Sequence, residues 1–380
     1  MHIVIITPGY PYNESNVFSF VKQIAETMAD LGQNISVLKI PAKITAALNN
    51  TIEEPEVITE RTRKGSILDV YRLNINNYHC DKHKLYFNLA EKINNFLYKI
   101  ETRRSIDVLY AHFWDTAYTV CRFALQNNIP LFVANGESQL ELCKYDPLFF
   151  KSLSGVICVS SKCQIESINQ GYIKNNLPAI ILPNAVDTSL FYPMDKFAAR
   201  QQLGFNQDDF ILIFIGLFIR RKGANRVSEA ISMLNLPDVK SIFIGNYTIG
   251  NRTYGPSCNG ILFEGNVCHD EIPKYLACAD VFCLPTLNEG CSNAIVEALA
   301  CGLPIISSNL SFNDDILTKE NSIRINPSNI HDIRDAILTL YYNRSLCKKM
   351  SIAVSKVAKN YSIIQRVERI IDFIKTNKMI

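Results

Sequence analysis

Leu284-Pro285-Thr286-Leu287-Asn288-Glu289-Gly290-Cys291-Ser292-Asn293-Ala294-Ile295-Val296-Glu297-Ala298-Leu299-Ala300-Cys301-Gly302-Leu303-Pro304 reads as the end of a buried strand, a polar loop, a short helix, a glycine stop and the start of another strand. Ser292 or Asn293 is placed to cap the helix. A capped helix start presents backbone N–H groups and a partial positive charge, which favours a bound phosphate by roughly 0.3–2 kcal/mol. Glu289 lies in the loop and Glu297 about one turn into the helix, so both carboxylates are able to face one ligand. Ionised carboxylates accept hydrogen bonds strongly and suit sugar hydroxyls. The spacing of two glutamates means nothing alone; the strand, loop and capped helix around it give it meaning.

Outward from this stretch, short apolar runs alternate with helical patterns, the mark of parallel sheets covered by helices. Residues 2–6 form a first strand, Pro8 to Asn16 a loop, and 17–31 a helix with Phe20, Ile24, Met28 and Leu31 at helical spacing. Gly32 stops that helix and 35–40 is the next strand, completing a right-handed βαβ unit. Residues 41–66 are irregular and charge-rich, followed by a strand at 67–73 and a helix at about 83–104. Strands at 108–110, 131–133 and 156–159 end in Ala111-His112-Phe113-Trp114, Asn135-Gly136-Glu137-Ser138 and Ser160-Ser161. Ligands of open α/β sheets bind beyond the carboxyl ends of the strands, so these polar ends mark one crevice.

A strand at 179–182 runs into Pro183-Asn184-Ala185-Val186-Asp187, and a second series opens with Phe210-Ile211-Leu212-Ile213-Phe214-Ile215. Further strands fall at 241–245, 261–264, 281–285 and 303–307. The last helix, about 362–377, carries Ile363, Val367, Ile370, Ile371 and Ile374 on one stripe. A chain of 380 residues exceeds what one core usually serves, so two domains are expected.

Composition narrows the class. A net charge of +3 is far below the basic excess of a nucleic-acid binder. No stretch reaches the roughly 18–20 apolar residues of a membrane span. The first six residues lack the basic start and length of an export signal, so a reducing cytoplasm is the expected compartment. Twelve cysteines form no Cys-x-x-Cys pair; Cys121, Cys158, Cys283 and Cys301 sit in apolar elements as small hydrophobes. His79-Cys80-Asp81-Lys82-His83 has ligand-type residues, but no second pair answers it, and it reads as a solvated loop. No Gly-x-Gly-x-x-Gly follows the first strand, against a nicotinamide dehydrogenase.

The run Glu289 to Pro304 resembles the paired-glutamate signature of retaining glycosyltransferases of family 4, which have the GT-B fold. Pro183 to Phe191 resembles that family's interdomain strand, and Ile215-Gly216-Leu217-Phe218-Ile219-Arg220-Arg221-Lys222-Gly223 its phosphate-binding loop. Phe263-Glu264-Gly265-Asn266-Val267 and Ala279-Asp280-Val281-Phe282 resemble its approach to the glutamates. The likeness is dense over about 180–310 and looser before it.

The resemblance implies two facing Rossmann-like, doubly wound α/β domains: residues 1–188 with helix 362–380 for the acceptor, and 189–361 for a nucleotide-sugar donor. The final helix would cross back to the first domain. Glu297 would hold the donor's ribose, Glu289 would contact the transferred sugar, and the amides of Gly290, Cys291, Ser292 and Asn293 would meet diphosphate or sugar. Lys222 would neutralise the leaving diphosphate beside Gly216, and Gly9 would permit close backbone approach. Leu217 stands where the family commonly has arginine, a charge that Arg221 is placed to supply. Asn135 stands where it often has histidine, leaving Asn135 or Glu137 for the sugar. His112 is open to two roles, acceptor contact or satisfied structural histidine. Trp114 reads as packing.

Breaking a sugar–phosphate bond puts negative charge on the departing diphosphate, which Lys222, Arg221 and helix-end amides would stabilise more in the transition state than before it. With no Asp-x-Asp motif, metal independence is expected and no cofactor beyond the nucleotide-sugar substrate. The acceptor implied is a glycan or lipid-linked molecule of bacterial surface polysaccharide synthesis. Lys92, Lys99, Arg103 and Arg104 on a helix read first as a solvated face, with peripheral contact with anionic lipid of the inner membrane as the alternative. Two rivals share the architecture: a sugar-nucleotide epimerase or phosphorylase, and a non-catalytic partner subunit.

Overall fold

The computed structural model describes residues 1–11, 18–40, 56–73, 82–136, 145–174, 176–248 and 250–378. The chain divides into two compact units, residues 1–182 with 364–380, and residues 183–363.

The first unit holds an eight-stranded sheet in the order β3-β4-β2-β1-β5-β6-β7-β8. In chain order these are β1 (His2–Thr7), β2 (Asn34–Lys39), β3 (Val57–Arg61), β4 (Ile67–Arg72), β5 (Val108–His112), β6 (Leu131–Asn135), β7 (Leu153–Cys158) and β8 (Ala179–Ile181). All pairings are parallel except β3 with β4. The inner strands are buried end to end, as parallel strands covered on both faces must be. Strand order reverses beside β1, the switch point where open α/β sheets take ligands.

Helix α1 (Ser19–Asp30) buries Ile24 and Met28 as expected, with Val21 and Ala25. Phe20 and Leu31 are only half-buried, because the stripe facing the sheet runs through Val21 instead. The charge-rich stretch expected to be irregular contains β3. It is an antiparallel edge strand in which Val57, Ile58 and Thr59 are followed by Glu60 and Arg61, and charge on an edge strand discourages pairing with other chains.

The second unit holds six parallel strands in the order β11-β10-β9-β12-β13-β14. They are β9 (Phe210–Ile215), β10 (Val239–Ile244), β11 (Ile261–Gly265), β12 (Val281–Leu284), β13 (Ile305–Ser308) and β14 (Ser322–Ile325). Strand β14 lies outside the strands read from sequence; four residues with Arg324 among them give too little alternation to see. Here the order reverses between β9 and β12.

Residues 183–188, expected with the first unit, lie in the second. Val186 pairs with Ser362 through a parallel bridge, exchanging backbone bonds with Tyr361 and Ile363 at 2.8 Å each. The final helix (Ile363–Asn377) buries Ile363, Val367, Ile370, Ile371 and Ile374. From Ile364 onward it belongs to the first unit, where Phe373 meets Phe132 edge-on at 5.9 Å. Each buried aliphatic side chain contributes about 1.5–3 kcal/mol against leaving it in water.

Candidate active site

At the carboxyl end of β9 the chain turns through Gly216 to Gly223 before helix α7 (Ala224–Ser232). Gly245 beside it tolerates no side chain, since a Cβ there would lie 1.9 Å from the Gly216 carbonyl oxygen. Phe218 N–H donates to Asn246 O at 2.9 Å, fixing the loop against the end of β10. Gly223 sits at φ 87°, a left-handed conformation that favours glycine, and turns the chain into α7.

Arg226, one turn into α7, is buried and donates to Arg220 O at 2.8 Å and to Pro285 O at 2.7 Å. It therefore clamps the basic loop to the loop after β12. Leu287 N–H donates to Arg221 O at 2.8 Å, and Arg221 Nη1 donates to Asn288 O at 2.6 Å, closing the same seam.

The clamp brings three functional groups together. Glu289 is buried, with Lys222 Nζ on its Oε1 and Arg221 Nη1 at 3.1 Å from its Oε2. Thr286 Oγ1 adds a bond to Oε1 at 2.9 Å. Burial alone pushes the Glu289 carboxyl upward, but the Lys222 and Arg221 charges and the bonds from Lys222 and Thr286 outweigh it and hold it below its ordinary value. The adjacent side chains of Arg221 and Lys222 thus face the same carboxylate. Leu217 is 47% exposed and takes no part in this network.

Helix α9 (Asn293–Ala300) follows the loop, with Ser292 at the cap position in extended geometry. The expected cap bond is absent: Ser292 Oγ does not reach back to the helix, and both it and Asn293 Oδ1 are buried with no hydrogen-bond partner among the described residues. Two polar atoms buried beside a helix start await a ligand or ordered water. Asn184 Nδ2 donates to Cys291 O at 2.8 Å and steadies the loop from behind. Glu297 lies in α9, where His269 Nε2 meets its Oε1 at 2.9 Å. Burial opposes the charged form of His269, yet the Glu297 bond and charge, with Asp270, raise its pKa.

Arg226, Thr286, Asn184 and His269 escaped the sequence reading. Asn184 stood inside a quoted motif, whereas no spacing points to His269.

The strand ends of the first unit are arranged differently. Asn135 accepts from Trp114 Nε1 at 3.1 Å and donates to Ser167 Oγ at 2.7 Å, so both ends of its amide are engaged inside the unit. Trp114 stacks on Tyr172 at 5.3 Å. His112 is buried among Phe20, Tyr110 and Phe113, with both ring nitrogens lacking a hydrogen-bond partner among the described residues. Burial, aided by Arg366, lowers its pKa to about 3 and keeps it neutral. The space over Gly9 holds the Phe18 ring, whose Cδ2 would lie 2.3 Å from a Cβ at that position. Glu137 and residues 79–81 lie outside the described residues.

Burial pushes the thiols of Cys121 to about 11 and of Cys158, Cys283 and Cys301 to about 12, as befits hydrophobes. On helix α2 (Lys82–Arg103), Lys99 pairs with Glu56 at 3.0 Å, and Arg103 donates to Tyr71 Oη at 3.2 Å. Among the described residues no helix is long and apolar enough to cross a membrane.

Known proteins resemble this chain in sequence and in fold. Residues 195–357 match the family model of glycosyl transferases group 1. TuaC of Bacillus subtilis (strain 168), named for teichuronic acid biosynthesis, is 28% identical over 204 residues, 52% of this chain and 49% of its own. The UDP-Gal:alpha-D-GlcNAc-diphosphoundecaprenol alpha-1,3-galactosyltransferase of Escherichia coli is 26% identical over 235 residues, 58% of this chain and 60% of its own. The chain thus spans about half the length of the curated relatives it matches. Sucrose-phosphate synthase from Thermosynechococcus elongatus superposes with a TM-score of 0.79 at 17% identity, covering 99% of this chain and 98% of that one. The chain carries a glycosyl transferases group 1 domain, and its fold is GT-B.

Proposed function

We propose that this chain is a retaining, metal-independent glycosyltransferase of family 4, moving a hexose-type sugar from UDP- or GDP-sugar to a glycan or lipid-linked acceptor. The observation that carries the reading is the Glu289–Lys222–Arg221 cluster beside the uncapped start of α9, where Ser292 Oγ and Asn293 Oδ1 lack partners. A carboxylate for sugar hydroxyls, two cations for a diphosphate and a helix start for its oxygens are what such a donor requires.

In this reading the second unit holds the donor and the first the acceptor. Glu297 takes the ribose, and Gly290 to Asn293 with Gly216 border the diphosphate. The anomeric carbon–oxygen bond to the diphosphate breaks, and the acceptor oxygen bonds to the same face of the sugar. The acceptor's hydroxyl proton passes to the departing diphosphate. Lys222 and Arg221, drawn from Glu289 by the incoming diphosphate, meet the charge that develops there, so no metal ion is called for. The name of the Escherichia coli relative supports a lipid-diphosphate acceptor. In this reading the enzyme works in bacterial surface polysaccharide synthesis, peripherally at the cytoplasmic face of the inner membrane.

Calorimetric titration of UDP, GDP and their sugar conjugates, with and without magnesium, tests the donor site on wild type and Glu297→Ala. Binding of one nucleotide without magnesium, weakened in the variant, is expected. Failure of every nucleotide to bind would leave a non-catalytic partner subunit. Product analysis by NMR then tests stereochemistry: an inverted anomer rules out retention, and free or isomerised sugar formed without acceptor identifies a phosphorylase or epimerase.

A further inference from the structure

His269 follows β11 in a tight turn that leads into helix α8 (Ile272–Cys278). Nothing in the roles above uses it, yet among the described residues it makes the one side-chain hydrogen bond to the Glu297 carboxylate. Its ring lies against the buried Phe191 ring at 5.1 Å, and its Nε2 meets Glu297 Oε1 at 2.9 Å. The two side chains are 16% and 11% exposed, so the pair is largely shielded from water. Oε1 is thereby committed, whereas Oε2 has no protein partner among the described residues.

A glutamate side chain on a helix has several rotamers, and ordering one of them costs entropy each time a ligand binds. A ring wedged against Phe191 and bonded to Oε1 removes that freedom in advance. We propose that His269 is a positioning residue of the nucleotide site, holding the Glu297 carboxylate so that Oε2 receives the ribose hydroxyls. The inference rests on the reading that Glu297 takes the ribose.

The groups facing the imidazole set its response to pH. Glu297 from α9 and Asp270 from its own turn favour the charged ring, against burial, and raise its pKa. Phe191, packed against the ring, carries no charge, and the Cys301 thiol that interacts with Glu297 is pushed to about 12, by burial first, and stays neutral. Below its raised pKa, His269 gives Glu297 a charge-assisted bond; above it, only the weaker bond of a neutral ring remains. Ribose recognition should therefore decline as pH rises through that value.

The test measures affinity for UDP and GDP against their 2′,3′-dideoxy forms, so that the titration of the diphosphate cancels in the ratio. For the nucleotide that binds, wild type should favour the ribose form, and Glu297→Ala should erase that preference. His269→Ala should cut it about tenfold, the scale of losing a hydrogen bond to a charged group, and His269→Gln, which restores a donor, should recover most of it. The wild-type ratio should fall with rising pH above 6.5 and be flat in His269→Gln; this series stands even if the alanine variant does not fold. A full preference in folded His269→Ala, or a wild-type ratio flat with pH, overturns the positioning role and leaves the Glu297 reading intact. An undiminished preference in Glu297→Ala, or no nucleotide binding to wild type, overturns both.

Discussion

At the carboxyl edge of the first sheet, Asn135 spends its amide on Trp114, Ser167 and the Cys163 carbonyl. At the corresponding edge of the second sheet, Glu289 gathers Lys222, Arg221 and Thr286 from two loops, and Ser292 and Asn293 keep polar atoms unpartnered. Both edges end in polar residues, and by the general rule of open α/β sheets both face ligand. The difference lies in what surrounds the polar groups. Aromatic rings cover the first edge: Phe18 over Gly9, and Phe20, Tyr110 and Phe113 around His112. Cations and a carboxylate converge at the second, held by Arg226. Packing spends the polar group of Asn135, whereas it leaves those of Ser292, Asn293 and, at the first edge, His112 without partners among the described residues.

The contrast breaks most visibly at Lys222. Lys222→Ala should lower donor turnover about 100- to 1,000-fold, the usual cost of removing one transition-state charge stabiliser. Arg221 and Thr286 still satisfy Glu289, so thermal unfolding should show the fold retained. A loss smaller than about tenfold in a steady-state transfer assay would mean that the cluster is an internal ion pair like many others.

Asn135→Ala should do the reverse. It strands the buried Trp114 Nε1 without an acceptor, at a cost of about 1–3 kcal/mol, so Tm should fall by about 2–8 °C. Turnover per folded molecule should be unchanged. A folded Asn135→Ala protein with altered donor or acceptor KM would place Asn135 in the site and erase the contrast.

A pH profile sharpens the comparison further. Folded His112 stays neutral down to about pH 3, while the unfolded chain takes up its proton near the ordinary value of 6.5. Stability present above pH 6.5 is therefore lost as pH falls from 6.5 towards 3. In His112→Phe, Tm measured across that window should decline less steeply than in wild type. Parallel curves for the two proteins would show that His112 gains a proton partner at the first edge after all.

Several elements could be read from the chain because their signals are local. Phe210 to Ile215 is six apolar residues in a row and forms β9 over the same six. The isoleucine stripe of the final helix is buried as spaced. Strands β3 and β14 were invisible for the complementary reason: an edge strand and a four-residue strand take their identity from a neighbour, not from their own pattern. The site divides in the same way. Glu289, Lys222 and Arg221 were named from motifs, but their meeting joins residues 67 positions apart through a clamp at Arg226.

Sequence by itself therefore determined the two α/β units, their main strands and the residue types a donor site needs, because hydrophobic period and loop composition act over a few neighbouring residues. Only the tertiary structure decided which polar groups are spent and which remain available. It turned Asn135 inward, left Ser292 and Asn293 without partners, and set His269 against Glu297. The reason is physical: a hydrogen bond or ion pair depends on distance in space, and residues 269 and 297 become neighbours only after β11, β10, β9 and β12 have assembled into one sheet.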